Sequence, residues 1–189
     1  YIKSKIYSVH LNIVGDGEEK KTIANKIETL NIKDNVTLSG SKDIVEEELI
    51  KADFYVHSAT YEPFGLVILE AMASRLPIIA LNGSGNKDLL KNGVNGFIID
   101  EQNPNLFGDI IIDLFCNKER YQRISEQGFQ TSLKYDLPNY SKNLLKIYPN
   151  EKEGIIDKKF ANLVNKKTCL LVARKLELEK FITTGNSYK

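Results

Sequence analysis

The sequence is poor in the residue types that usually mark metal, disulfide or redox sites. Its 189 residues include no tryptophan, one methionine, two cysteines and two histidines. Cys116 and Cys169 lie far apart, each among apolar residues, and they fit no metal-ligand spacing. We therefore expect two reduced thiols, no metal site and a reducing compartment, the cytoplasm.

The sequence also lacks a net charge of either sign and a long apolar run. Lysine and arginine number 26 and aspartate and glutamate 25, so the net charge is +1. This balance gives no electrostatic reason to expect nucleic acid or an anionic membrane as the main partner. No run reaches transmembrane length and no signal peptide opens the chain. There is no initiator Met, and we expect the sequence to be cut from something longer.

The sequence does show a regular alternation of predicted strands and helices. Apolar runs predict strands at residues 9–14, 36–40, 54–57, 77–80 and 97–99, and helical patterns occupy residues 18–30, 44–51, 64–74 and a turn around 88–90. The alternation predicts an α/β fold, a Rossmann-like parallel sheet with helices on both faces. Ligands of such sheets bind outside the carboxyl ends of the strands.

The second part of the sequence is predicted to be helical, and its end is different in character. Helices are expected at residues 106–115, 119–133 and 138–148. We predict one domain over residues 1–148. Residues 149–189 are interpreted as a linker and a Lys-rich tail, either helical or poorly ordered.

Residues 62–70 carry the most informative pattern. Glu62 and Glu70 are separated by seven residues, and Pro63 and Gly65 interrupt the apolar run between them. A helix that begins near Gly65 has first N–H groups without an intrahelical acceptor, and these can bind an anion. Glu70 would lie roughly 7 Å further along the axis, where its carboxylate can accept hydrogen bonds from a ribose diol. The layout suits a nucleotide-sugar, but spacing alone favours two solvated glutamates at a helix end.

Other polar motifs also follow predicted strands. Residues 15–17 form a tight Gly-Asp-Gly turn, which many α/β proteins contain for structural reasons alone. Residues 83–88 form a flexible loop into a helix, and this loop is either a ligand loop or a plain Asn-capped helix start. His10 and His57 are interpreted as strand histidines without a catalytic role.

Taken together, these motifs resemble the C-terminal, donor-binding domain of GT-B glycosyltransferases, in the retaining group 1 family that uses nucleotide-diphosphate sugars. The matching motifs occur in the family's order at residues 11–17, 36–40, 52–58, 62–66, 70–73, 76–80 and 92–97. The resemblance covers roughly residues 9–148. The variant at residues 85–89 is similar to bacterial capsular or exopolysaccharide members.

The resemblance implies a role for each matching residue. Glu70 would bind the ribose, and Glu62, the catalytic candidate, would contact the transferred sugar. Three backbone N–H groups would bind the diphosphate or the sugar. One further group of residues would border the nucleobase, and a loop would border the sugar. The N–H donors belong to Phe64, Gly65 and Leu66, the nucleobase set is Gly15, Gly17, Leu38 and Gly40, and the sugar loop contains Gly85, Asn86 and Asp88.

The resemblance also implies an activity. Members transfer a hexose from a UDP- or GDP-linked sugar to a glycan or lipid-linked acceptor with retention, usually without a metal or other cofactor. The family normally opens this domain with a strand and helix that carry an Arg and a Lys, which clamp the diphosphate. Here the chain starts at the next strand, and the acceptor domain, through which peripheral membrane contact would occur, is also absent. We therefore expect the isolated chain to be inactive.

Two alternatives stay open at this stage. The chain can be a non-catalytic nucleotide-binding module or a decayed gene fragment. It can also be a GT-B epimerase or phosphorylase relative, although no lysine has the context of a phosphorylase cofactor lysine. The sequence does not identify the nucleobase, the sugar or the acceptor.

Overall fold

A computed structural model describes residues 1–6, 8–62, 65–83, 85–100 and 103–136. Five strands and six α-helices alternate along these residues, with short 3₁₀ turns at Ile2–Ser4, Lys33–Asn35 and Leu133–Tyr135. The strands are β1 (Leu11–Val14), β2 (Val36–Gly40), β3 (Tyr55–His57), β4 (Ile78–Leu81) and β5 (Phe97–Ile99). The helices are α1 (Lys20–Thr29), α2 (Glu46–Leu49), α3 (Leu66–Ala73), α4 (Asn86–Leu89), α5 (Pro104–Cys116) and α6 (Lys118–Ser132).

All strand pairs are parallel, which confirms the predicted α/β class. The strands are divided between two sheets, one of order β1-β2 and one of order β3-β4-β5. Within the described ranges, β1, β2, β3 and β5 each have one edge to which no named strand is paired. The sequence predicted a single sheet, because apolar runs reveal strands but not which strands become neighbours.

The centre of the three-stranded sheet is its most buried part. All four residues of β4 are buried, as expected for an apolar strand that has neighbours on both sides. Ile78 and Ala80 contribute to a cluster with residues of α3 and α4, whereas Ile79 and Leu81 contribute to a second cluster with residues of β5, α5 and α6. Since successive strand residues point to opposite faces, each face of this sheet has its own core.

The two long C-terminal helices begin at asparagine caps. The side chain of Asn103 accepts a hydrogen bond from the Asn105 N–H, and Pro104 occupies the first helical turn of α5. Asn117 accepts in the same way from the Arg120 N–H at the start of α6. Both helices were predicted, with boundaries within about two residues of those observed.

The two-stranded sheet packs much less closely. Helix α1 has no buried residue, and Leu11 and Leu30 are about half exposed. An open groove of about 230 Å³ separates α1 from the strands. Its lining comprises Leu11, Ile13, Thr22, Ile23, Lys26, Ile27, Leu30, Ile32 and Val36.

Residues from 137 onward lie outside the described part of the chain. The helix predicted at residues 138–148, the boundary at residues 148–149 and the predicted tail all fall there, and they stay predictions.

Candidate functional site

The loop after β3 brings Glu62 to the carboxyl end of the three-stranded sheet. One carboxylate oxygen of Glu62, Oε1, accepts a hydrogen bond from the Gly65 N–H at 2.9 Å. The backbone carbonyl of Glu62 accepts from the Gly85 N–H at 2.7 Å. Glu62 therefore joins the loop before α3 to the loop before α4, and its side chain has a defined orientation.

The second carboxylate oxygen of Glu62 faces a buried histidine. The Oε2 atom lies 3.7 Å from Nε2 of His57, the last residue of β3. The His57 ring is held from its other side, because its Nδ1 lies 3.1 Å from the Tyr55 hydroxyl. Burial lowers the pKa of His57, and the Glu62 carboxylate partly opposes that shift.

Tyr55 links Glu62 to Glu70. Burial, followed by the charges of Glu62 and then Glu70, raises the pKa of Tyr55 to about 12. Both carboxylates therefore lie close enough to act on one phenol. The pKa of Glu70, which is exposed on α3, is itself raised by partial burial and by the charge of Glu46 on α2. Glu62 and Glu70, which the sequence singled out, thus lie before α3 and within it.

Helix α3 begins at Leu66, two residues after the start of the helical stretch predicted at residues 64–74. Gly65 precedes it in the left-handed region, with φ of +87°, and its carbonyl accepts from the Ile68 and Leu69 N–H groups. The N–H groups of Leu66 and Val67 have no carbonyl one turn earlier within the helix. The Gly65 N–H, which the sequence assigned to a ligand, donates to Glu62 in this structure. Phe64 lies outside the described residues.

A glycine is required at position 65 for two separate reasons. A left-handed φ disfavours every residue with a side chain. In addition, a Cβ atom at Gly65 would lie 3.0 Å from a methyl group of Leu89. The close packing of α3 on α4 therefore depends on this residue.

The predicted sugar loop is partly a structural element. Asn86 is fully buried, and its Nδ2 donates to the Leu81 carbonyl at 2.7 Å. Asp88 is exposed, whereas Gly85 is buried and bonded to Glu62. The alternative of an Asn-capped helix start is wrong, because the cap residue of α4 is Gly85 and no side chain caps the helix. Asn86 instead anchors the loop to the end of β4.

The residues predicted to border a nucleobase meet at the end of the two-stranded sheet. The Gly15 N–H donates to the Gly40 carbonyl at 2.8 Å, and both glycines have positive φ. Leu38 is partly buried, and the Gly17 N–H donates to the Asp16 carboxylate at 3.0 Å. Gly15 and Gly40 are thus brought together, as their positions after neighbouring strands predicted.

Helix α2 links this group to the glutamate pair. Glu48 accepts a hydrogen bond from the Asn12 side chain of β1 at 2.8 Å. On the same helix, Glu46 is close enough to Glu70 to raise its pKa. The buried Leu49 belongs to the core cluster that contains Ile68 of α3. The two sets of predicted binding residues therefore have α2 between them.

Sequence reasoning missed Tyr55 and His57. The period of two along a strand does place residues 55 and 57 on one face. Nothing in the sequence shows that the following loop folds back and brings Glu62 against that face. The contact therefore becomes visible only in three dimensions.

The described residues contain neither a candidate metal centre nor a candidate membrane span. No group of three or more His, Cys, Asp or Glu side chains among them could hold a metal ion. None of their helices combines the length and apolar character needed to span a membrane.

The chain was compared with known families and proteins. The family model for glycosyl transferases group 1 matches residues 1–131. Over 143 residues the chain is 32% identical to the poly(glycerol-phosphate) α-glucosyltransferase of Bacillus subtilis, which covers 75% of this chain and 21% of that protein. The chain thus spans about a fifth of that relative, and 38% and 39% of two further glycosyltransferases.

Among solved structures, HepE of Anabaena in complex with UDP-glucose is similar, with a TM-score of 0.70 and 24% identity. The match covers 79% of this chain and 44% of HepE. At that identity the likeness shows the fold. It corresponds to the GT-B architecture that the motif order predicted.

A second similarity is of a different kind. A stretch of 46 residues, or 24% of the chain, is 63% identical to ribonuclease 3 of Pelagibacter ubique and covers 21% of that protein. The chain therefore resembles two unrelated proteins, and the shorter resemblance has the higher identity.

Proposed function

Because this chain belongs to the group 1 glycosyltransferase family, we propose that it binds a nucleotide-diphosphate sugar, with the carboxyl ends of its strands as the donor site. The observation that supports this most is the placement of Glu62 and Glu70. Glu62 lies before α3, with its Oε1 bonded to the Gly65 N–H, and Glu70 lies within α3. A diphosphate flanked by a ribose and a hexose would suit this placement.

Each contact in the proposed complex has a chemical reason. The Glu70 carboxylate accepts two hydrogen bonds from the ribose diol. The N–H groups of Leu66 and Val67 face the diphosphate at the positive end of α3. Glu62 accepts from hydroxyl groups of the hexose, and the nucleobase lies against Gly15 and the neighbouring turn.

We propose UDP-glucose as the first donor to test, since the similar HepE structure contains it. In transfer with retention, the bond from the sugar C1 to the diphosphate breaks while the acceptor oxygen bonds to C1 from the same face. The departing diphosphate takes the acceptor proton. Oriented N–H groups stabilise the charge that develops on the diphosphate.

The cellular setting is also part of the proposal. The acceptor is a glycan or lipid-linked polymer of the bacterial surface, of the capsular or exopolysaccharide kind. We place the reaction in the cytoplasm, at the inner face of the membrane. Group 1 enzymes combine a donor-binding half with a second half, and we assign acceptor binding to that second half.

Isothermal titration calorimetry of the 189-residue chain with UDP and GDP tests donor binding. We expect Glu70→Ala to weaken nucleotide binding about 10- to 100-fold, since hydrogen bonds to a charged group contribute about 1.5–3 kcal/mol. Glu47→Ala is the matched control, because Glu47 is an exposed glutamate of α2. Equal affinities for wild type and Glu70→Ala would contradict the ribose assignment.

A second candidate is a non-catalytic nucleotide-binding module or a decayed gene fragment. The 63% identity of a 46-residue stretch to ribonuclease 3 favours it, since a stretch similar to another enzyme is unexpected in an intact glycosyltransferase. Calorimetry with UDP and GDP separates a donor domain from a decayed fragment. The decayed fragment predicts no heat with either nucleotide, and binding that is weakened in Glu70→Ala would rule it out.

A further inference from the structure

We propose that His57 is a positioning residue, which holds the Glu62 carboxylate in the orientation that binds the donor sugar. This inference rests on the proposed function, because it assigns His57 a role in the same site. It concerns the sugar end of the donor alone. The ribose and nucleobase contacts do not involve His57.

The geometry gives the His57 ring one defined orientation. The ring is 8% exposed at the end of β3, and the Tyr55 hydroxyl lies 3.1 Å from its Nδ1 atom. When the hydroxyl donates to Nδ1, the neutral ring carries its proton on Nε2. That proton then points toward Glu62, whose Oε2 lies 3.7 Å away.

Each oxygen of the Glu62 carboxylate therefore faces a different donor group. Its Oε1 accepts from the Gly65 N–H at 2.9 Å, whereas its Oε2 faces His57. The Nε2 atom of His57 is buried and makes no hydrogen bond among the described residues. Since hydrogen bonds between nitrogen and oxygen span about 2.7–3.2 Å, a movement of less than about 1 Å would convert the 3.7 Å contact into one.

The surrounding charges make this pair responsive to ionisation. The groups around His57 are the Tyr55 phenol on β3 and the Glu62 carboxylate, and beyond Tyr55 lie Glu70 on α3 and Glu46 on α2. All of these groups are acids. Glu62 is the carboxylate whose charge acts on His57, where it opposes the effect of burial.

Two sets of measurements test the proposal. The first is an NMR titration of the two histidine rings in the wild type and in Glu62→Gln. Removal of the carboxylate should lower the pKa of His57 further, since the opposite charge of Glu62 stabilises the imidazolium. The ring of His10, whose Nε2 lies 2.8 Å from the Thr37 hydroxyl, serves as the internal reference signal. An unchanged His57 would show that the pair is not coupled and would overturn the proposal.

The second measurement compares the affinities for UDP and UDP-glucose by calorimetry. In His57→Leu, which has no donor, the gain in affinity that the glucose supplies should fall about tenfold, while the affinity for UDP stays unchanged. His57→Gln keeps an N–H donor and should retain most of the gain. His10→Gln serves as the control for loss of a histidine.

The outcomes separate the two proposals. A wild-type chain that binds no UDP would overturn the proposed function and the role of His57 with it. UDP binding with an unchanged glucose gain in both His57 variants would overturn only the role of His57. If His57→Leu fails to fold, the pKa of His57 in Glu62→Gln and the glucose gain of His57→Gln decide the question.

Discussion

The two sheets of this protein differ sharply in how well they are covered. In the three-stranded sheet every residue of β4 is buried, and a separate apolar cluster lies against each face. In the two-stranded sheet α1 buries no residue and an open groove separates helix and strands. The same βα pattern thus gives a closed core in one region and a partly open one in the other.

This difference divides the candidate site in two. Glu62, His57 and Gly65 belong to the well-packed region, where their orientations are fixed by hydrogen bonds and close contacts. Gly15 and Gly17 belong to the loosely packed region. The end of the site proposed for the sugar and diphosphate is therefore preorganised, whereas the end proposed for the nucleobase depends on a region with few buried contacts.

The largest expected effect contrasts two isoleucines. Ile79→Ala removes a fully buried side chain from the centre of β4 and should cost about 2–5 kcal/mol of unfolding free energy. Ile27→Ala removes a partly buried side chain from the open groove and should cost less than about 1 kcal/mol. Urea unfolding followed by circular dichroism measures both. Equal losses would show that the two regions share one core.

A smaller loss of stability is expected when Gly65 is replaced, and Gly17 is the control. Gly65→Ala forces a side chain into a left-handed backbone and against Leu89, and we expect a loss of about 1–3 kcal/mol. Gly17→Ala is the matched control in the loosely packed region, because no atom lies within 4 Å of the added Cβ. Thermal melts of both variants provide the measurement. A Gly65→Ala melt that matches wild type would contradict the strained turn before α3.

The smallest expected effect concerns the dependence of folding stability on pH. The pKa of Tyr55 in the folded chain is about 12, above the ordinary value of 10. The stability that this difference represents is fully present below pH 10 and is lost as the pH rises toward 12. Tyr55→Phe should therefore retain its structure to higher pH than wild type. Ultraviolet absorbance of ionising phenols, combined with circular dichroism, measures the difference.

In the loosely packed region, the group to compare with Tyr55 in its effect on pH-dependent stability is Asp16. Hydrogen bonds from Lys20 and the Gly17 N–H lower its pKa, so its contribution is present above the ordinary carboxyl pKa and is lost as the pH falls. Because Asp16 is exposed, Asp16→Asn should leave the acid unfolding midpoint nearly unchanged. A large shift would show that this turn is more constrained than its exposure indicates.

Much of the fold could be predicted from the sequence. Strands β2 and β5 begin and end where their apolar runs do, because turns bound those runs on both sides. Helix α1 was predicted from residue 18, but it starts at Lys20 without a side-chain cap. The start of a helix without a cap signal is poorly marked in sequence.

The candidate site was only partly predictable. The spacing of Glu62 and Glu70 predicted one glutamate before α3 and one within it, because a helix of known rise fixes positions along its own axis. The burial of Asn86 and the contact of His57 with Glu62 depend on how loops fold back against strand ends. No local periodicity encodes such contacts, and so the sequence assigned Asn86 to a ligand and His57 to no role.

In the part of the chain that the structure describes, β1 and β3 each have an edge without a paired strand, and this has a practical consequence. A strand edge without a paired neighbour carries a row of backbone donors and acceptors that an extended segment of another molecule can use. Val56 on β3 and Leu11 on β1 are exposed apolar side chains beside those edges. In a concentrated preparation, self-association should therefore begin by strand addition at these two templates.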